Sequence, residues 1–114
     1  MSRSRAKGTA AESQVVAYLQ SMGFPKAERR ALHGVNDRGD VTSIPSTVIQ
    51  VKNWDQAKLG QWVKQMIRQR DNDGAAWGVV WHKKKGTQFP GQWYVTTTGE
   101  DFVKLLRSAL GIED

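Results

Sequence analysis

Apolar residues recur at helical spacing in three segments of this chain, and a glycine follows each segment. The first predicted helix spans residues 9–22. The second starts at residues 53–55, with Asn53 or Asp55 as its N-cap, and ends at residues 71–74. The third is capped by Thr97 or Thr98. The apolar stripes are Val15, Val16, Leu19 and Met22; Leu59, Trp62, Val63, Met66 and Ile67; and Phe102, Leu105, Leu106, Ala109 and Leu110.

The segments between these helices have the composition of β-strands. Residues 24–32 predict a weak alternating strand, and residues 39–53 predict a hairpin with a turn at residues 44–47. Residues 76–81 are almost continuously apolar, as in a strand buried on both faces, and residues 92–97 predict a last strand. The whole order predicts one α/β domain over residues 1–114, with a mixed central sheet flanked by helices.

The predicted hairpin carries the candidate chemistry. Successive strand side chains point to opposite faces, so Ile49 and Val51 turn to the core while Gln50 and Lys52 face Asp40. A carboxylate, an amide oxygen and an ammonium group then lie close together beside apolar residues. This combination predicts a site for a divalent metal and for the phosphate that it activates.

The charge of the chain points to a polyanionic partner. Seventeen Lys and Arg residues against eleven Asp and Glu give a formal net charge of +6 and a pI of about 9.9. A basic surface that is simply solvated is the alternative. Residues 1–6 are expected to form a flexible basic arm that grips phosphates, or else a solvated terminus. The predicted DNA-binding residues are Arg3, Arg5, Lys7, Arg29, Arg30, Arg38, Lys83, Lys84 and Lys85.

The composition also excludes some classes of site. The chain has no cysteine, so it has neither a disulfide framework nor a thiolate metal site. It contains no long apolar run of the kind that spans a membrane or forms a signal peptide. We therefore expect no membrane association and a location in the cytoplasm.

The motif Gly39-Asp40, nine residues, Gln50-Val51-Lys52 resembles the signature of PD-(D/E)xK nucleases. The basic segment 5–12 is similar to the start of archaeal-type Holliday junction resolvases and their phage relatives. The resemblance implies a restriction-endonuclease-like αβββαβ core and a homodimer that cuts four-way DNA junctions symmetrically, in the host cytoplasm if phage-encoded. It also implies Mg²⁺, or Mn²⁺, held by Asp40, Gln50, the Val51 carbonyl and a helix glutamate, Glu12, with Lys52 assisting.

Several alternatives stay open at this point. Gln50 stands where most of the family has a carboxylate, so another nuclease of this fold, or a DNA-binding module without catalysis, also fits the pattern. A basic interaction protein with no nucleic-acid role is a further alternative. Glu12 could simply be a first-turn glutamate that the helix dipole favours. His33 and Asp37 could be ordinary loop residues rather than an acid or base. The five tryptophans could line a dimer interface or the core.

Overall fold

The computed structural model describes residues 3–30 and 37–112, with side chains from residue 5 onward. No helix within these ranges has both the length and the apolar character needed to cross a membrane. The elements are α1 (Arg3–Ser21), β1 (Glu28–Arg29), β2 (Val41–Thr42), β3 (Thr47–Lys52), α2 (Leu59–Asp73), β4 (Trp77–His82), β5 (Tyr94–Thr96) and α3 (Gly99–Ala109), with a 3₁₀ turn at Pro90–Gln92.

The central sheet has the strand order β3-β4-β5 and is mixed. Strands β3 and β4 run parallel, with Ile49 opposite Val79, and α2 provides the crossover that a parallel pair requires. Strand β5 lies antiparallel to β4, with Val95 opposite Trp81. The prediction of an α/β chain with a mixed sheet flanked by helices is therefore confirmed.

The prediction that the two strands of residues 39–53 pair with each other is wrong. Strand β2 pairs with β1 in a separate antiparallel ribbon instead of forming a ladder with β3. The ribbon is joined to the sheet at Asp40, whose N–H donates to the Ile49 carbonyl at 2.8 Å and whose carbonyl accepts from Arg30 N at 2.9 Å. Asp40 therefore still lies beside the middle of β3, as the site requires.

Both faces of β3 are covered by helices. Ile49 and Val51 pack against the apolar stripe of α1, which includes Val15. Val48 packs on the other face, in a cluster with Trp62 and Met66 of α2. The predicted alternation of the strand is confirmed, but the face that carries Gln50 is not open.

Several predicted boundaries need correction. Helix α1 begins at Arg3, so residues 3–6 are helical and not a flexible arm. Helix α2 begins at Leu59, with Lys58 at the N-cap position and no side-chain cap. The predicted caps contact α1 instead: Asp55 accepts from Lys7 Nζ at 3.2 Å, and Asn53 donates to the Lys7 carbonyl at 3.5 Å. Within the described part of the predicted strand 24–32, only Glu28–Arg29 forms a strand. The predicted last strand, residues 92–97, is limited to Tyr94–Thr96. Residues 31 and 32 and His33 lie outside the described residues.

Helix α3 is attached through a buried acid. Thr98 caps it as predicted, accepting from Asp101 N at 3.1 Å. Asp101 is fully buried and accepts from Arg70 of α2 at 2.8 Å and from the Gly78 N–H of β4 at 2.9 Å. The apolar stripe of α3 lies largely outside the core. The exposed large apolar residues of the helix are Phe102, Leu106 and Leu110 of the stripe, and Val103 beside it.

Candidate functional site

A cavity of about 590 Å³ brings the predicted site residues together. Among the residues that line it are Glu12 from α1, Asp40 from the segment before β2, and Gln50, Val51 and Lys52 from β3. We call it the Asp40 cavity. The four residues predicted to hold the metal and the predicted catalytic Lys52 therefore share one cavity, although they come from three separate parts of the chain.

Gly39 lets Asp40 approach β3 closely. Its φ of +98° is in the left-handed region, where glycine is favoured, and a Cβ there would lie 3.0 Å from Val48 Cγ1 and 3.2 Å from the Ile49 carbonyl. The approach allows the Asp40 carboxylate to accept from Val51 N at 2.7 Å. The Gly39-Asp40 pair is therefore a geometric requirement of this site.

Gln50 is the most unusual side chain of the cavity. It is 1% exposed, and neither its Oε1 nor its Nε2 has a hydrogen-bond partner in the described structure. A buried amide without partners costs free energy, on the order of 1–3 kcal/mol per group, so such groups in native proteins need an explanation. Because Gln50 also lines the Asp40 cavity, a ligand that enters this cavity would provide the missing partner.

The charges of the cavity are strongly perturbed. Burial raises the pKa of Asp40 to about 7, and the negative charge of Glu12 adds to this effect, while the Val51 N–H and Lys52 oppose it. Burial also raises the pKa of Glu12, against the attraction of Arg29, whose Nε lies 3.5 Å from Glu12 Oε1. Burial lowers the pKa of Lys52 despite the nearby carboxylates. Clefts in which burial and neighbouring charges perturb acids and amines in this way are typical of functional sites.

Asp37 also lines the cavity. Of its two predicted roles, a second acid or an ordinary loop residue, its hydrogen bonds correspond to the loop role. Its Oδ1 accepts from Gly39 N at 2.9 Å, and its Oδ2 accepts from Nε2 of the buried Gln69 at 2.8 Å. Gln69 was missed at the sequence level. The available signal was its position three residues after Met66, which places a polar residue on the core-facing side of α2.

The donor groups fit a hard divalent cation. No group of three or more His, Cys, Asp or Glu side chains able to hold a metal occurs among residues 5–30 and 37–112. The Asp40 cavity instead offers two carboxylates, from Glu12 and Asp40, and the amide of Gln50. These donors are oxygens, as Mg²⁺ prefers, and Mg²⁺ usually keeps several water ligands in addition to protein oxygens.

The predicted basic residues divide into groups. Arg5, Arg29 and Arg30 line the Asp40 cavity. Arg38 is exposed and lies 3.7 Å from Asp73, while Lys84 is exposed with its ammonium 5.9 Å from the Tyr94 ring centre. The Arg3 side chain lies outside the described residues. Lys7, Lys83 and Lys85 line a neighbouring cavity of about 210 Å³.

Most of the tryptophans belong to the core. Trp62 and Trp93 are buried, and Trp77 and Trp81 are half-buried. Trp54 differs, because it is 54% exposed and lines the Asp40 cavity. The sequence pattern had assigned it to a helix start, and its position directly after the strand that carries Lys52 was the signal for a place at the site.

Comparisons of this chain with protein-family models, with curated proteins and with solved structures found no match. The likeness to PD-(D/E)xK nucleases therefore depends on the motif residues and on the cavity that they line. The activity is therefore inferred from the geometry of this cavity.

Proposed function

We propose that this protein is a metal-dependent DNA endonuclease of the PD-(D/E)xK type, with a restriction-endonuclease-like fold, that cuts four-way junctions by phosphodiester hydrolysis. One observation carries the proposal: Asp40, Gln50 and Lys52 converge with Glu12 on one cavity, in which the Gln50 amide is buried without a partner. The selectivity for junctions is supported by the sequence resemblance to resolvases. A location in the cytoplasm is part of the same proposal.

Four groups of this chain would hold the metal: the carboxylates of Asp40 and Glu12, the Gln50 side-chain oxygen and the Val51 carbonyl. A bound Mg²⁺ or Mn²⁺ would supply activation of water and neutralise charge on the phosphorus transition state. The chain itself positions the donors, since the Val51 N–H holds the Asp40 carboxylate against β3 at 2.7 Å. Burial of the cavity strengthens each of these electrostatic interactions.

Lys52 and Arg30 are suited to hold the scissile phosphate. Lys52 is half-buried at the end of β3 and brings an ammonium beside Asp40, where it can stabilise developing negative charge. Arg30 lines the same cavity; its Nη2 lies 3.8 Å from Asp73 Oδ1, whereas its Nε is buried with no hydrogen-bond partner in the described structure. A phosphate oxygen would be a charge-assisted acceptor for this Nε.

The proposed enzyme acts as a homodimer, since symmetric cleavage of a junction needs two active sites. The exposed apolar residues of α3 support this part of the proposal. They lie next to one another on one helical face, as residues three and four apart do. A face of this kind suits a second copy of the same face in a twofold interface.

A second candidate function is DNA binding without catalysis. It is favoured by the neutral Gln50 in place of a carboxylate and by the pairing of Glu12 with Arg29 at 3.5 Å. Both features reduce the negative charge available to a cation. This candidate predicts DNA binding that weakens with salt and no cleavage in any metal.

The deciding experiment incubates the protein with a labelled four-way junction and with a linear duplex of the same sequence, in Mg²⁺, in Mn²⁺ and in EDTA. We expect paired symmetric nicks in the junction, no nicks in EDTA, and no nicks with Asp40→Asn. Glu100→Gln, an exposed acid on α3, is the matched control and should cleave normally. Binding of both DNAs without cleavage in either metal would favour the second candidate, and nicking of the duplex as well would refute junction selectivity.

A further inference from the structure

A second cavity adjoins the Asp40 cavity and shares Asn53 and Trp54 with it. It has a volume of about 210 Å³, and Lys7, Lys83 and Lys85 contribute to its lining. We call it the lysine cavity. The two cavities are therefore adjacent: the acids and Lys52 line one, the lysines line the other, and Trp54 lines both.

Trp54 is placed as a stacking surface. More than half of its surface is exposed, whereas the other four tryptophans are buried or half-buried. The Lys58 ammonium lies 5.9 Å from its ring centre, a distance that allows a cation–π contact. Proteins that bind single-stranded nucleic acids combine exposed aromatic rings with basic groups, because every base can stack on such a ring whatever the sequence.

The lysines beyond Trp54 are available to phosphates. Lys7 is paired with Asp55 at 3.2 Å, but both side chains are more than a third exposed, and such pairs contribute little to stability. Lys83 donates to the neutral Gln88 side chain at 3.1 Å. A phosphate could displace these weak partners without leaving a buried charge.

We propose that Trp54 stacks on the exposed face of an unstacked DNA base next to the cleaved phosphate and that the lysine cavity binds the backbone of the same strand. This inference rests on the proposed nuclease function and specifies its substrate: DNA whose base stack is interrupted beside the scissile bond. The open centre of a branch point and a single strand both expose such a base face, and an intact duplex does not. Trp54 then selects the substrate, while Asp40 and Lys52 act on it.

Binding is tested without cleavage, in EDTA, by fluorescence anisotropy of a labelled single strand, a duplex and a four-way junction. Trp54→Ala should weaken binding of the single strand and the junction about tenfold and of the duplex less than twofold. Trp54→Phe should retain most of the affinity. Phe24→Ala removes an exposed aromatic that lines neither cavity and should have no effect. Equal weakening for all three DNAs, or none, would overturn the proposal.

The lysines are tested through the salt dependence of single-strand binding. The double variant Lys83→Ala/Lys85→Ala should reduce the slope of log affinity against log salt by about 1.4, since each phosphate contact on a single strand contributes about 0.7. The exposed pair Lys26→Ala/Lys64→Ala is the matched control. An unchanged slope in the first variant, or tighter binding of RNA than of DNA of the same sequence, would overturn the role assigned to the lysine cavity.

The two proposals fail separately. If the junction is cut in Mg²⁺ but Trp54→Ala binds every DNA as the wild type does, the nuclease proposal is supported and the proposal of a stacking site is wrong. If no DNA is cut in any metal but Trp54→Ala selectively loses the single strand and the junction, the nuclease is wrong and the stacking surface stands.

Discussion

The carboxylate of Asp40 accepts a hydrogen bond from the backbone nitrogen of Val51 at 2.7 Å. The bond holds the acid against the strand segment that also carries Gln50 and Lys52. A hydrogen bond to the charged form lowers a carboxyl pKa, yet burial outweighs it, so the pKa of Asp40 rises to about 7. At neutral pH and without a metal, the protein therefore contains a half-buried acid that is only partly ionised.

This acid should destabilise the metal-free protein at high pH. Its folded pKa of about 7 exceeds the value of 3.8 expected for the unfolded chain. Its contribution to stability is thus full below pH 3.8 and is lost as the pH rises through about 7. Asp40→Asn removes this loss, and we expect its free energy of unfolding in EDTA to exceed that of the wild type by on the order of 1–3 kcal/mol at pH 8.5.

Urea unfolding from pH 4 to pH 9 in EDTA measures this difference. The advantage of Asp40→Asn should shrink steadily toward acid pH. Added Mg²⁺ should stabilise the wild type more than the variant, since the bound cation neutralises the negative charge of the Asp40 carboxylate. A stability difference that stays constant over the whole pH range would show that the Asp40 carboxyl group is well solvated.

Gln50 offers a test of the metal site in two directions. Gln50→Glu adds a negative ligand, so we expect tighter Mg²⁺ binding by about tenfold and lower stability of the metal-free protein. Gln50→Leu removes the unpartnered amide, so stability should be unchanged or higher while metal binding is lost. Isothermal titration with Mg²⁺ and urea unfolding in EDTA measure the two effects.

Gln65→Glu is the matched control for Gln50→Glu, because Gln65 lines the same cavity from α2 and is not buried. It should change Mg²⁺ affinity much less. If Gln50→Glu and Gln65→Glu tighten Mg²⁺ binding equally, the effect is one of general charge and Gln50 is not a ligand.

Sequence periodicity was sufficient to predict the features of this structure that depend on residues close together in the chain. The alternation that separates Ile49 from Gln50, the Thr98 cap and the glycine after α2 depend on neighbours within a few residues, and each is confirmed. Asp40, Gln50 and Lys52 came from one local motif, whereas the role of Glu12 was implied by the family resemblance. The hairpin pairing used to bring Asp40 to Gln50 was wrong, and Asp40 reaches β3 through its own backbone and side-chain hydrogen bonds.

The parts that could not be predicted depend on contacts between distant segments. The predicted caps Asn53 and Asp55 contact Lys7 of α1, 46 and 48 positions away, and α2 starts only at Leu59. The link from Gln69 to Asp37 spans 32 positions and joins a helix to a loop. No periodicity within a segment carries information about such partners.

The buried Asp101 should be essential for stability but not for chemistry. It accepts from Arg70 and from the Gly78 N–H, and it lines neither cavity. Asp101→Ala removes the acceptor of Arg70 Nη1 and of the buried Gly78 N–H, although Arg70 keeps its bonds to Asp71. We expect a loss of about 3 kcal/mol in the free energy of unfolding. Glu100→Ala, the exposed neighbour, should change stability by less than about 0.5 kcal/mol. Thermal unfolding measures both, and similar values for the two variants would contradict the role of Asp101.

The apolar face of α3 should be the dimer contact of the proposed resolvase. Phe102 is 55% and Leu110 65% exposed, so Leu106→Glu between them should abolish the dimer while the monomer stays folded. Ser108→Glu adds the same charge at another exposed position of the helix and should leave the dimer intact. Sedimentation velocity at micromolar concentration distinguishes the two. A wild type that stays monomeric would refute the dimer, whereas a dimeric Leu106→Glu would place its interface elsewhere on the molecule.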